Sequence, residues 1–330
     1  MFDDRPIGRI GFCQLDDSIQ LPLDAIEFPS QFASVAAARK QQQSHIDLAT
    51  LTHADLPVWI ASQQTDSVGL LNANVLHETV KPIRPIGRIA DQTIFPPPLG
   101  AGRWAISTYY DLLNAGLRIS PSAGSGSGTV DNPVGYNRVY VHCGDEFTWD
   151  RWWQGLRQGR SLITNGPMLR PRINGELPGH VFRGYPGETV TLESSLNLST
   201  KEKIAYLQII KNGETTAEVR LDEFAKAQGV LPEVAFTESG WLLIRAVCEN
   251  SKALRYATTA PYYVEFDGKP RISERSCQFL LDWSTERLID VKTNLKQQQN
   301  LSARQRHSVV RYHEAGVKFW ENRLKIANAP

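Results

Sequence analysis

The hydrophobic periodicity of this chain changes twice, and those changes limit what it can fold into. Over residues 20–145, short apolar runs alternate with helical patterns. Ala25–Phe28 reads as a strand, Ser30–Gln43 as a helix, Leu56–Gln63 as a short helix and Ser67–Leu71 as a buried strand. Strands separated by helical patterns predict a parallel α/β arrangement. From about residue 186 the segments become short, alternating and β-branched or aromatic: Thr189–Leu192, Ile204–Lys211, Thr216–Leu221, Gly240–Val247 and Tyr262–Phe266. Asn212-Gly213 between two of them is a hairpin signal, so this part predicts a small antiparallel β-sandwich. Beyond residue 270 the spacing becomes helical. Cys277, Leu280, Leu281, Ser284, Leu288 and Val291 mark one helix, and Val310, His313, Val317, Trp320 and Leu324 a second. Ser302-x-x-Gln305 is a capping box opening the second helix, and Lys296–Asn300 is the linker of a helical hairpin that packs on one of the preceding units.

The middle of the chain holds the segments with chemical interest. Lys81–Arg103 contains five Pro and reads as an irregular surface loop, either a cover for a site or a tolerated insertion. Ser107 caps a helix running to Asn114, with Gly116 just past its end. A Gly/Ser loop, Gly124-Ser-Gly-Ser-Gly128, then leads toward a strand at Arg138–His142. Thr148 caps a helix over Trp149–Gln158 that Gly159 stops. Trp149, Trp152, Trp153 and Leu156 share one face of it, as core or as an aromatic ligand platform.

Composition excludes several classes. Lys and Arg total 36 against 35 Asp and Glu, so no net field favours nucleic acid or an anionic membrane. No apolar run approaches the roughly 20 residues of a membrane span. Met1-Phe-Asp-Asp-Arg5 lacks the basic start and apolar stretch of a signal peptide. The four Cys (13, 143, 248 and 277) are widely spaced, with no Cys-x-x-Cys, and read as free thiols.

Several long runs resemble the CehA/McbA-type metallohydrolases of the PHP (polymerase and histidinol phosphatase) superfamily. They are Asp55-Leu-Pro-Val-Trp-Ile-Ala61, Asp66-Ser-Val-Gly-Leu70, Tyr109–Arg118, Ser122–Ser125, Asn132–Val141, Trp152–Arg160, Thr164-Asn-Gly-Pro167 and Leu177–Phe182. The resemblance spans about residues 20–265. It implies a partial PHP-like (β/α) barrel over 1–185, a β-sandwich accessory domain over 186–270 and a helical hairpin tail over 271–330. It also implies divalent metal such as zinc or manganese in intact relatives, held by an opening His-x-His and a closing Asp-x-His. Here no two of the seven His are separated by one residue, and Gly126 and Gly128 stand in the closing slots. The resemblance thus implies no metal ligand set and no cofactor in this chain, and a degenerate or incomplete hydrolase domain. Two alternatives remain. One is a small-molecule or glycan binding module. The other is an active ester, carbamate or phosphate hydrolase completed by a missing N-terminal half.

Leu21–Phe28 resembles an internal strand of such a fold. Either the gene model starts late, or another chain supplies the first strands, or the domain has reorganised as an open sheet; the first is the working expectation. A late start would be compatible with an extracytoplasmic parent.

No catalytic residue is assigned, and the pocket candidates are seven. Glu27 is the acidic residue on a barrel-type strand. Asn74 ends the Asp66–Asn74 segment, where some relatives carry a His. Ser125 and Ser127 belong to a loop that is either an anion cradle of backbone N–H groups or a flexible rim. The centre of that loop is Gly126, so it is not a serine-hydrolase elbow. Asn137 and Arg138 enter the strand beside it. Arg138 can hold a carboxylate or phosphate, or pair with Asp131 or Glu146. Asn165 lies in the Thr164–Pro167 turn, where it either meets a ligand or simply forms the turn. The expected partner is a small molecule.

Overall fold

The computed structural model describes residues 1–22, 25–28, 30–81, 86–298 and 301–328. Parts of three expectations, those falling on Leu23, Asp24, residues 82–85, Gln299 and Asn300, lie outside the described residues.

The first unit is an open five-stranded sheet. In chain order its elements are β1 (Phe2–Arg5), β2 (Gly8–Cys13), α1 (Phe32–Ala38), β3 (His45–Leu48), α2 (Leu56–Ala61), β4 (Ser67–Leu71), α3 (Gly100–Asn114) and β5 (Ser120–Ala123). The strand order is β1-β2-β3-β4-β5. β1, β2 and β3 pair antiparallel, and β3, β4 and β5 pair parallel. The expected (β/α) barrel is therefore corrected: among the described residues there are three sheets and none closes. The β–α–β rhythm that suggested a barrel is common to closed and open sheets. Ala25–Phe28 forms bends rather than a strand. α3 starts at Gly100 instead of Ser107, because Trp104 and Ala105 extend its buried face toward the N-terminus.

Two further sheets follow. Their elements are β6 (Arg138–Val141), α4 (Trp149–Arg157), β7 (Ser161–Thr164), β8 (Met168–Ile173), β9 (Val181–Gly184), β10 (Val190–Ser199), β11 (Ile204–Lys211), β12 (Glu214–Val219), α5 (Leu221–Lys226), β13 (Val230–Phe236), β14 (Gly240–Cys248), β15 (Tyr256–Thr259) and β16 (Tyr262–Phe266). A three-stranded sheet, β13-β10-β8, shares a core with an eight-stranded one. Leu169, Leu192, Leu196 and Phe236 of the smaller sheet meet Leu207, Ile209, Ile244 and Val264 of the larger. Asn212-Gly213 closes the β11–β12 hairpin. The chain ends in two long helices, α6 (Glu274–Gln297) and α7 (Ala303–Ala327), and Ser302 and Gln305 cap α7 reciprocally. No helix among the described residues is long and apolar enough to cross a membrane.

The two terminal helices are fastened to one short stretch, residues 53–57, which spans the turn after β3 and the first residues of α2. The indole N–H of Trp283 donates to the Ala54 carbonyl at 2.9 Å, and that of Trp320 donates to the Pro57 carbonyl at 2.9 Å. Between them Asp55, 6% exposed, accepts from Arg287 Nε at 2.5 Å and from His313 Nε2 at 3.2 Å. Arg287 also pairs with Glu27, whose other oxygen accepts from Asn294 at 3.2 Å. Burial would raise the Asp55 carboxyl, but the Arg287 guanidinium and the His313 ring overcome it and hold the group well below the usual carboxylate range. Burial likewise opposes charge on His313, yet Asp55 raises it above its ordinary value. Phe32 completes the junction, its ring 4.0 Å from Trp59 of α2 and 4.0 Å from Tyr312 of α7. Removing one partner of a buried ionic cluster strands the other charges. Asp55→Ala is expected to lower stability by about 3–5 kcal/mol in chemical denaturation. Lys292→Ala, which breaks only the exposed pair to Glu314, should change it by less than about 1 kcal/mol.

Candidate functional site

The two faces of the open sheet differ in kind. One face carries Ile10, Phe12, Ile46, Leu48, Val68 and Leu70, all buried in a core shared with the helices. Side chains alternate along a strand, so the intervening residues point the other way. Those are Arg9, Gly11, His45, Asp47, Ala49, Ser67, Gly69 and Ser122. They are mostly small or polar and cannot fill the space above the sheet. α4 and the Gly/Ser loop close over it and leave a cavity of about 430 Å³, walled by Trp152 and Trp153.

The floor of the cavity is a hydrogen-bonded row. Asp47 and Ser67 are register partners on β3 and β4, and Ser122 lies one strand further on. Ser67 Oγ donates to Asp47 Oδ1 at 2.6 Å, and Ser122 Oγ donates to the same oxygen at 2.5 Å. His45 Nε2 lies 2.9 Å from Ser67 Oγ. With the Ser67 proton committed to Asp47, His45 is the donor in that contact, which fixes its N–H on Nε2 and leaves Nδ1 as an acceptor. Burial pushes the His45 ring down to about 4 and the Asp47 carboxyl upward, the two serine hydroxyls acting against the latter shift. The Trp153 ring lies 4.7 Å from the His45 ring, and Trp152 meets Trp153 edge-on.

Three buried polar atoms on this cavity's residues have no hydrogen-bond partner among the described residues: Arg9 Nε, His45 Nδ1 and Asn137 Oδ1. One is a donor and two are acceptors. Buried polar atoms are normally paired, so a cluster of three around a cavity marks a place built to meet something else. Asp47 Oδ2 also has no hydrogen-bond partner among the described residues. Arg9 is 5% exposed and pairs with Asp4, which also accepts from Thr129 at 3.1 Å.

The donor set does not suit a divalent cation. Asp47 Oδ1 is held by two hydroxyls, Asp4 is engaged by Arg9 and Thr129, and the Arg9 guanidinium is a fixed positive charge in the cavity wall. Gly126 adopts φ +67, and a Cβ there would lie 2.7 Å from Ala73 Cβ and 3.2 Å from Arg9 Nη1. A side chain at position 126 would thus be pressed against an arginine. Among the described residues no three His, Cys, Asp or Glu converge on one point.

Of the seven residues singled out from the sequence, three come together here. Ser125, Ser127 and Asn137 line the cavity. Ser125 Oγ accepts from the Asn137 backbone N–H at 3.0 Å, and Ser127 Oγ donates to the Asn132 carbonyl at 2.9 Å. The other four lie elsewhere. Glu27 is in the Asp55–Arg287 cluster. Asn74 donates to Thr52 at 3.0 Å and accepts from the Ile86 N–H at 2.9 Å, pinning the Pro-rich segment. Asn165 is 1% exposed and bridges the Leu254 carbonyl at 2.7 Å and the Tyr256 N–H at 2.9 Å, so it is a turn residue. Arg138 pairs with neither Asp131 nor Glu146 among the described residues; it donates to the Gly135 carbonyl at 2.8 Å. The pocket residues that sequence reasoning did not single out are Arg9, His45, Asp47, Ser67 and Ser122. Their signal is period-two alternation in Gly8–Cys13 and His45–Leu48, apolar on one side and small or polar on the other.

Comparison with family models, with curated proteins and with solved structures returns no match. The likeness to CehA/McbA-type hydrolases therefore rests on the sequence runs alone.

The buried neutral histidines set an acid limit. His45 and His53 both have folded values near 4 against 6.5 for the ordinary ring, with burial as the main cause. The unfolded chain therefore takes up protons first as pH falls. Stability from each ring is complete above about pH 6.5 and is lost toward pH 4, at up to about 1.4 kcal/mol per pH unit. His45→Gln should reduce the slope of unfolding free energy against pH in that window by this amount, and change nothing above it.

Proposed function

We propose that this chain is a small-molecule binding domain, with a pocket descended from a metallohydrolase site, and that the pocket takes a polyhydroxylated ring such as a sugar without metal-assisted hydrolysis. The observation that carries this reading is the unengaged Oδ2 of Asp47 on a serine-held carboxylate, in a cavity walled by two tryptophans. A carboxylate with one free oxygen accepts from ring hydroxyls, and an indole offers a flat apolar surface to the C–H side of a ring. His45 Nδ1 and Asn137 Oδ1 add two further acceptors, and Arg9 adds a donor. A volume of about 430 Å³ lies within the range of small-ligand sites. The descent rests on the resemblance of the sequence runs, and residues 124–127 of the Gly/Ser loop border this cavity.

Titration calorimetry with a panel of neutral hexoses, pentoses and hexuronates, alongside intrinsic tryptophan fluorescence, tests the reading. At least one member is expected to bind with saturable quenching. Trp153→Ala and Asp47→Asn should each weaken it by about tenfold or more, equivalent to about 1.4 kcal/mol. Trp149→Ala, at a side chain 68% exposed and outside the cavity, should leave it unchanged. If no sugar binds at millimolar concentration, or if binding ignores both cavity substitutions, the reading is wrong.

A further inference from the structure

A second cavity, of about 540 Å³, lies where the end of α4 meets the large sheet. Arg118, Arg157, Arg160 and Arg172 all line it. Among the described residues one of these four guanidiniums has an ion-pair partner: Glu265 pairs with Arg118, while Glu176 lies beside His180 at 3.3 Å. Arg157 donates only to neutral oxygens, Gln14 Oε1 at 2.7 Å and the Gln43 carbonyl at 3.2 Å. The side chains of Arg160 and Arg172 make no hydrogen bond or ion pair with any described residue. In a chain whose formal net charge is only +1, such a local excess is not a background of basic residues.

The frame of this cleft is rigid. The turn at Gly159 and the turn at Gly179 abut through backbone. Gly179 adopts φ +87, and a Cβ there would fall 1.9 Å from the Gln158 carbonyl oxygen, so only glycine permits the approach. The Gly179 N–H donates to the Pro261 carbonyl at 2.8 Å, and the Arg160 carbonyl accepts from the His142 N–H at 2.8 Å. The backbone beneath Arg160 and beside His180 is therefore fixed, while the Arg160 and Arg172 guanidiniums have no partner among the described residues and are available to a ligand in the cleft.

We infer that this cleft is a second ligand site, separate from the sheet-face pocket, and that it binds a small molecule carrying two phosphate groups. Guanidinium forks match the oxygens of a phosphate in paired hydrogen bonds, and two phosphates bring more negative charge to the unpaired arginines than two carboxylates do. The concave shape, in a chain of formal net charge only +1, favours a small molecule over a nucleic-acid backbone.

The test is calorimetry of the full chain with inorganic pyrophosphate at low ionic strength, with malonate as the dicarboxylate control. Pyrophosphate is expected to bind one per chain, and malonate about tenfold or more weaker. The double variant Arg160→Gln/Arg172→Gln alters two exposed side chains, should keep the parent melting temperature, and should lose pyrophosphate affinity by about tenfold or more. Asp47→Asn should leave pyrophosphate binding untouched, which separates this site from the sugar pocket. Absence of pyrophosphate binding, binding undiminished in the double variant, or equal affinity for malonate would each overturn the inference.

Discussion

A buried carboxylate at Asp55 holds this molecule together. Its turn joins β3 to α2, and four side chains from the terminal helices converge on it: Trp283, Arg287, His313 and Trp320. A charge so deeply buried is tolerable only because Arg287 and His313 face it with hydrogen bonds. The cluster ties residues more than 200 positions apart and presses α6 and α7 against the helices that cover the apolar side of the open sheet. Asn114 makes a second tie, accepting from the Trp241 indole at 2.9 Å and donating to the Asn212 carbonyl at 3.1 Å.

The unlike faces of that sheet explain why there is both an open layer and a pocket. A small barrel fills its interior with inward side chains. Here the corresponding face offers Gly11, Ala49, Gly69 and Ser122, which leave a space instead of filling it. The polar residues that remain, His45, Asp47 and Ser67, are joined in one hydrogen-bonded row, in which burial lowers the His45 ring to about 4 and pushes the Asp47 carboxyl upward against its two serine hydroxyls. β3 connects the two themes: His45 and Asp47 face the cavity from the strand whose following turn carries Asp55.

Local signals were legible where one short segment determines its own structure. Thr148 capping α4, Gly159 ending it, the Asn212-Gly213 hairpin and the Ser302–Gln305 capping box all depend on neighbours within a few residues. Closure of the sheet was not legible, because a strand–helix–strand rhythm does not say whether the last strand returns to the first. β1 and β2 precede residue 20, where the strand–helix alternation was traced, and β3 follows the expected Ser30–Gln43 helix as a run of only four residues. The Gly/Ser loop, read as an anion cradle or a flexible rim, lines the cavity, yet the floor was not read, since His45 meets Trp153 only after the chain has crossed three strands and α4 has folded back. Glu27 was misread for a similar reason: its partner Arg287 lies 260 residues away.

Native-state hydrogen exchange shows whether the sheet bearing the pocket is held by the Asp55 junction. The account predicts that amides of β3 and β4 and those of α6 open in one cooperative unit, with the same free energy, and that Asp55→Asn lowers them together. Terminal helices that exchange freely while β3 and β4 keep their protection would contradict it.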